Sequence, residues 1–325
     1  MKKLALLIPT LAFTAWIVSS CGHSNVAGPS MGASGNARDQ ALVAPHPPRQ
    51  PQFVEDGFYE SPDPMTTALG ASAGGVFSVQ DTITPITFWR TIRHVERTFE
   101  FAFSDTDTTG HPTTAILTIH KTLTGSFNIQ VEDTTGGFNR SVIHKPLEDH
   151  WVRKLLFKRL PTTRGDEDGD DDDETDGGSG DDEHGFWRLA GLTGVDVTSK
   201  GVTTHIVSLK FEGAGLDTTI TDPLKFFRLR NVLRVEPMMD VTITATTEKP
   251  DDIVLLLSRD HRFRLKPNGD NTYTGTFKTP FVMGCRHFGV NALSHGTLYD
   301  SQAPYDSQTW ILPFLVVGSP LAAMP

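Results

Sequence analysis

The stretch Phe99-Glu100-Phe101-Ala102-Phe103-Ser104 alternates large apolar residues with small or polar ones, and two further runs repeat the pattern. Ala115, Leu117 and Ile119 alternate with Ile116, Thr118 and His120, and Phe127, Ile129 and Val131 alternate with Asn128, Gln130 and Glu132. A period of two puts every second side chain on one face of a pleated strand, so these runs predict half-buried strands of an all-β fold. Thr84 to Arg97 also offers Phe88, Ile92, Val95 and Phe99 at helical spacing behind Pro85. Its strand-rich neighbourhood favours a strand there as well.

Working outward, Trp151 to Leu160 is a strand candidate carrying Arg153, Lys154, Lys158 and Arg159. Trp187-Arg188-Leu189 resumes strand-like text, and His205, Val207, Leu209 and Phe211 alternate with Ile206, Ser208, Lys210 and Glu212. Between them lies an acidic run from Asp166 to Glu183, expected as a loop joining two strands of one sheet. Beyond Val235-Glu236-Pro237, apolar alternation recurs around Val241, Ile253, Phe263, Tyr273, Phe288 and Trp310, with turn chemistry at Asn268-Gly269. About seven strands in this length predict a sandwich. The expectation is therefore an all-β chain of two β-sandwich domains. Residues 76–235 form the first, with the acidic insertion at 165–184, and residues 236–318 form the second. From Val241 to Val317 the pattern resembles the immunoglobulin-like modules of bacterial surface proteins, without their paired cysteines, since Cys285 has no partner in this stretch.

At the other end, Lys2 and Lys3 precede an apolar run from Leu4 to Val18 and then Ser19-Ser20-Cys21-Gly22. This order matches an export signal, and Val18 to Gly22 resembles the lipobox of bacterial lipoproteins. The run is too short, and too interrupted by Pro9, for a bilayer span of roughly 20 residues. The resemblance implies a signal peptide over residues 1–21, lipidation at Cys21 and attachment to a membrane through that lipid. In that family an Asp after the cysteine favours the inner membrane; Gly22 here points to the outer membrane of the cell envelope. Residues 22–75, small, polar and proline-rich at their start, read as a disordered tether.

The formal net charge is −10. Twelve acidic residues lie between Asp166 and Glu183, and without them the chain carries +2. There is no general basic field to recommend nucleic acid as a partner. If Cys21 carries lipid, no intramolecular disulfide is available to a chain with two cysteines.

Candidate sites are few. Asp166, Asp168, Asp170 and Asp172 set hard oxygen ligands at alternate positions, which suits calcium, yet Asp171 and Gly177 stand where an EF-hand needs its glycine and final glutamate. A solvated, self-repelling loop is the weightier reading of such a block. Asp105-Thr106-Asp107-Thr108-Thr109-Gly110 keeps too few carboxylates for calcium and reads as a turn. Gly70-Ala71-Ser72-Ala73-Gly74 spells a serine-hydrolase elbow but lacks the flanking strand and helix that the motif requires. Cys285 and His287 share a strand face as a packed thiol beside a histidine. Tyr299-Asp300-Ser301-Gln302 recurs as Tyr305-Asp306-Ser307-Gln308, and Tyr299 and Tyr305 on a loop are candidates for binding a partner.

The reading is a non-enzymatic, lipid-anchored binding or structural module of the envelope, facing a protein or glycan partner, with calcium as candidate ligand. A hydrolase with a scattered catalytic set is the alternative. A solvated acidic run predicts equal melting temperatures in calcium and in chelator at matched ionic strength. A calcium-specific rise would instead identify the four aspartates as ligands of the native state.

Overall fold

The structure is a computed structural model, and it describes Tyr59 and residues 67–68, 82–108, 110–132, 140–160, 186–258 and 262–318. The described residues are mostly strand. In order these are β1 (Thr67–Ala68), β2 (Pro85–Thr106), β3 (Pro112–Glu132), β4 (Arg140–Leu160), β5 (Phe186–Ser199), β6 (Ile206–Gly213), β7 (Leu216–Ile220) and β8 (Phe227–Arg228). They continue with β9 (Leu233–Val235), β10 (Asp240–Thr247), β11 (Ile253–Leu257), β12 (Arg262–Arg264), β13 (Lys266–Pro267), β14 (Thr272–Lys278), β15 (Gly284–Leu293) and β16 (Ser307–Val316). One short helix, α1 (His295–Tyr299), precedes β16.

Two sheets result. The larger runs β1-β2-β3-β4-β5-β16-β15-β11-β12, with β8 on β5 and β9 on β16, and the smaller runs β13-β14-β10-β6-β7. Strands on the two sides of Val235 share both sheets: β5 pairs with β16, and β6 pairs with β10. The seven strands expected after Val235 are present, and β6 and β7 from before it complete their sandwich.

Alternation explains which face each strand buries. On β3 the odd residues Ala115, Leu117, Ile119, Leu123, Phe127, Ile129 and Val131 are all buried, so two runs expected as separate strands are one 21-residue strand. Opposite Gly125, β2 bulges between Ile92 and His94, and a Cβ there would lie 1.9 Å from the Thr91 carbonyl oxygen. Only glycine lets the bulged backbone come this close. Where β2 hands over to β3, Asp105 takes φ 53° and Gly110 φ 81°, and the Asp107 carboxylate accepts from the His111 amide.

The larger sheet curls until its ends meet. Arg262 on β12 lies 5.5 Å from the centroid of Phe88 on β2, although six strands separate them along the sheet. The concave face encloses one core, including Leu117, Phe127, Leu147, Trp151, Leu155, Leu255 and Ile311. The smaller sheet covers the convex side of β16, β15 and β11 and makes a second core from Leu209, Phe211, Ile243, Val290, Leu312 and others. Strand β11 is shared: Ile253, Leu255 and Leu257 enter the first core, Val254 and Leu256 the second. A strand buried on both faces has no polar phase, which is why Ile253 to Leu257 reads as a continuous apolar run.

The smaller sheet is open to water on its far side. There Thr242 meets Thr276 at 3.1 Å and Thr244 meets Thr274 at 3.2 Å, cross-strand hydroxyl pairs on β10 and β14. In β6 the expected phase holds for Leu209 and Phe211 but changes before them. A register shift opposite Thr246 and Thr247 turns Ile206 inward, leaving Val207 exposed and His205 half-buried.

Candidate functional site

The densest group of ionisable side chains lies inside the curl. Strand β4 supplies it through its inward phase, in which Lys145, Asp149 and Arg153 alternate with Leu147, Trp151, Leu155 and Phe157. Asp149 is 1% exposed, and one of its oxygens, Oδ2, accepts from Tyr59 Oη at 3.1 Å, Arg90 Nη1 at 3.3 Å and Tyr305 Oη at 3.4 Å. Arg90, two strands away on β2, also donates to the Tyr59 carbonyl at 3.2 Å and covers the Tyr59 ring at 3.8 Å. Tyr59 therefore has its ring, hydroxyl and backbone all engaged.

Around this pair the walls are both aromatic and polar. Phe127 stacks on Tyr305 at 5.0 Å and on Phe88 at 5.4 Å. Asn291 on β15 donates to Ser307 and Thr309 hydroxyls at 2.7 Å each, while the Tyr59 and Thr309 hydroxyls are 3.4 Å apart. Arg262 closes the ring. The cavity among these groups measures about 10 Å³, room for the centre of about one water.

The electrostatics follow from burial. Loss of water pushes the Asp149 carboxyl above its usual range, while Arg90 and the two hydroxyls hold part of that rise back. Burial raises Tyr59 and Tyr305 as well, so both stay protonated and donate. Arg262 is pulled down to about 10, first by burial and then by the like charge of Arg90. Chemically, the arrangement holds one carboxylate against the Arg90 guanidinium with two phenol donors, and Arg262 lines the same cavity. It closes the sheet edges onto one another and seats Tyr59 between them.

A second polar anchor lies beside it. The Lys145 ammonium donates to the carbonyls of Gly296, Thr297 and Asp300 at 3.1, 2.7 and 2.7 Å, occupying the end of α1 where helical carbonyls lack partners. Ser294 caps the start by accepting from the Thr297 amide at 3.2 Å. Burial pulls Lys145 down to about 8, opposed by the Asp300 carboxylate.

The sequence-derived candidates are distributed differently. Cys21, Ser72 and the aspartates 166, 168, 170 and 172 lie outside the described residues; their run connects β4 to β5, whose ends pair at Leu160 and Phe186. Tyr305 is 4% exposed, not at the surface, because its ring fills the core against Phe127 and its hydroxyl reaches Asp149. Tyr299 is half-buried and stacks on His295 at 4.5 Å. The repeated tetrapeptide has diverged in role. In its second copy Asp306 accepts from the Thr203 and Thr204 amides and hydroxyls, and Gln308 accepts from the Ile206 amide, clamping the β5–β6 connection.

Cys285 is buried, and desolvation lifts its thiol to about 11, so it is a packing group. His287 sits beside it on the inward phase, 3.3 Å from Arg153. Asp105 accepts from Thr114 at 2.7 Å and from Lys158 at 3.4 Å, as a turn residue does. Among the described residues no three His, Cys, Asp or Glu side chains converge as a metal site.

Sequence reading missed Arg90, Asp149 and Tyr59. A signal existed for Asp149: a charged residue in the apolar phase of β4. Arg90 and Tyr59 carry none, because the contacts span 59 and 90 positions. No family model, curated protein or solved structure matches this chain.

Two outcomes are expected. Asp149→Ala strands the buried Arg90 charge and costs about 3–5 kcal/mol in a urea titration, whereas the double change Asp149→Leu with Arg90→Met costs much less. Asp252 tests pH dependence. Burial raises its carboxyl to about 6, with Thr247 and Lys249 opposing and Asp251 and Asp306 adding. The folded chain then holds this proton through a window, between the ordinary carboxyl pKa and about 6, where the unfolded chain has lost it. Stability therefore falls as pH rises through that window. Asp252→Asn should melt higher than the native chain at pH 7, with the gap closing toward pH 4.

Proposed function

We propose that this chain is an exported, lipid-anchored protein of the bacterial envelope that acts by binding or by shaping the envelope, with a protein or glycan as partner. Its N-terminus supports the anchor: a charged start, an apolar run and Val18-Ser19-Ser20-Cys21. Two or more acyl chains on one cysteine hold a protein on a bilayer far better than one.

The observation that carries the non-catalytic reading is the closure of the Asp149 cluster. The Asp149 carboxylate, the Arg90 guanidinium and the two phenols are engaged with one another around room for about one water. Groups spent on one another in this way serve to hold a fold. Tyr59 falls inside the stretch 22–75 expected as a tether, and its engaged hydroxyl, carbonyl and ring suit a residue through which membrane tension passes.

The test is expression in a bacterial host followed by mass analysis of the N-terminal peptide. The native chain should carry diacylglycerol and an acyl group on Cys21 and fractionate with membranes. Cys21→Ser should lose both the lipid and the membrane association. A native chain that is processed without lipid would overturn the reading.

A further inference from the structure

One end of the sandwich carries a tip of large apolar side chains. It is made by two connections, Glu236 to Met239 between β9 and β10, and Thr279 to Met283 between β14 and β15. Phe281 is 77% exposed, and Val282, Met283, Met238 and Met239 are 43 to 63% exposed. Single exposed apolar residues are ordinary on a protein surface; five gathered on two hydrogen-bonded loops are not.

The backbone beneath them is pinned. The Met238 amide donates to the Thr279 carbonyl at 3.2 Å, and the Thr279 amide donates to the Met239 carbonyl at 2.8 Å. The buried Thr279 hydroxyl accepts from the Met239 amide at 2.9 Å and donates to the Glu236 carbonyl at 2.6 Å. Met238 is held at φ 61°, a region that residues with side chains seldom occupy. The loops thus spend their polar groups on each other and turn their apolar side chains outward.

We propose that this tip docks on a lipid bilayer and inserts Phe281, Val282 and Met283 among the acyl chains, an inference that rests on the lipid-anchor reading. Three observations favour a bilayer over a protein. The apolar residues project from loops, and a bilayer accepts projecting apolar side chains without shape-matched polar partners, which a protein interface would have to supply. The loop from Thr279 to Cys285 carries no charged side chain that would have to be desolvated among acyl chains, and Lys278 beneath it is paired with Asp240 at 2.9 Å. Distance is the third. From Thr309, beside Tyr59, to Val316, at the tip end of β16, a strand covers about 23 Å. Residues 22–58 of the expected 22–75 tether would span about 33 Å if they behave as the coil their composition predicts. An anchor at Cys21 therefore keeps a bilayer within reach of the tip at high effective concentration, so a few side chains suffice to hold it there.

The test uses the full-length chain purified from membranes and reconstituted into vesicles of phosphatidylethanolamine and phosphatidylglycerol, with and without bromine on the acyl chains. Native protein is compared with Phe281→Trp. Docking predicts that the added indole emits to the blue and is quenched severalfold by brominated lipid relative to the native tryptophans. Adding Val282→Asp and Met283→Asp to Phe281→Trp should abolish the quenching with an unchanged melting temperature, since these side chains are exposed.

An indole that emits as in water while the chain melts normally would overturn the proposal. So would photo-crosslinking from position 281 to a protein instead of lipid. Mass analysis of the N-terminal peptide separates the two readings. A lipidated chain with an unquenched tip defeats docking alone, and a quenched tip on a chain without lipid defeats the anchor alone.

Discussion

A single carboxylate with three donors, Asp149 between Arg90, Tyr59 and Tyr305, is what the curled sheet depends on. Each donor comes from a different part of the chain: β2, the segment before β1, and the turn leading into β16. Removing a charge from water is costly, and a buried ion pair recovers that cost only when its remaining lone pairs are also satisfied. Here the phenols and the carbonyl of Tyr59 provide the additional bonds. The pair consequently contributes more to the uniqueness of the arrangement than to its depth in free energy, because any other register of β2 on β3, or of β3 on β4, would bury the same charges unmatched.

That constraint accounts for the asymmetry between the two cores. The second core packs the smaller sheet on β16, β15 and β11 chiefly by apolar area, through Phe211, Phe288, Phe277 and Phe314. An apolar interface of that kind tolerates sliding and specifies orientation weakly. The first core must instead close a strand path on itself, and the polar groups on the inner phases of β2, β4, β12, β15 and β16 set where the ends meet. Lys145 extends the same logic to α1, fixing a helix too short to stand by itself.

The molecule also separates its two proposed contacts with the membrane. Tyr59 marks where the N-terminal segment joins the fold, while the Met238–Phe281 tip lies toward the far end of β16. With the anchor at one point and the tip at another, the long axis of β15 and β16 is oriented against the bilayer instead of swinging from a single attachment.

Much of the architecture was legible in the residues. The alternation at Phe99 to Phe103, Ala115 to Ile119 and Phe127 to Val131 determined strand and face, because side-chain direction in a strand is a local property. The apolar run Ile253 to Leu257 read as a strand as well, while its burial on both faces emerged only with the two cores. What only the tertiary structure decided was how faces met. That β3 is one strand through Gly125 depends on a bulge in its neighbour; that Tyr305 is a core residue and Tyr299 is not depends on Phe127 and Asp149, far away in the chain. The Asp149 cluster was beyond reading because a long-range ion pair leaves no spacing in the sequence: its energy is set by distance and dielectric after folding, and neither quantity is written in the order of residues.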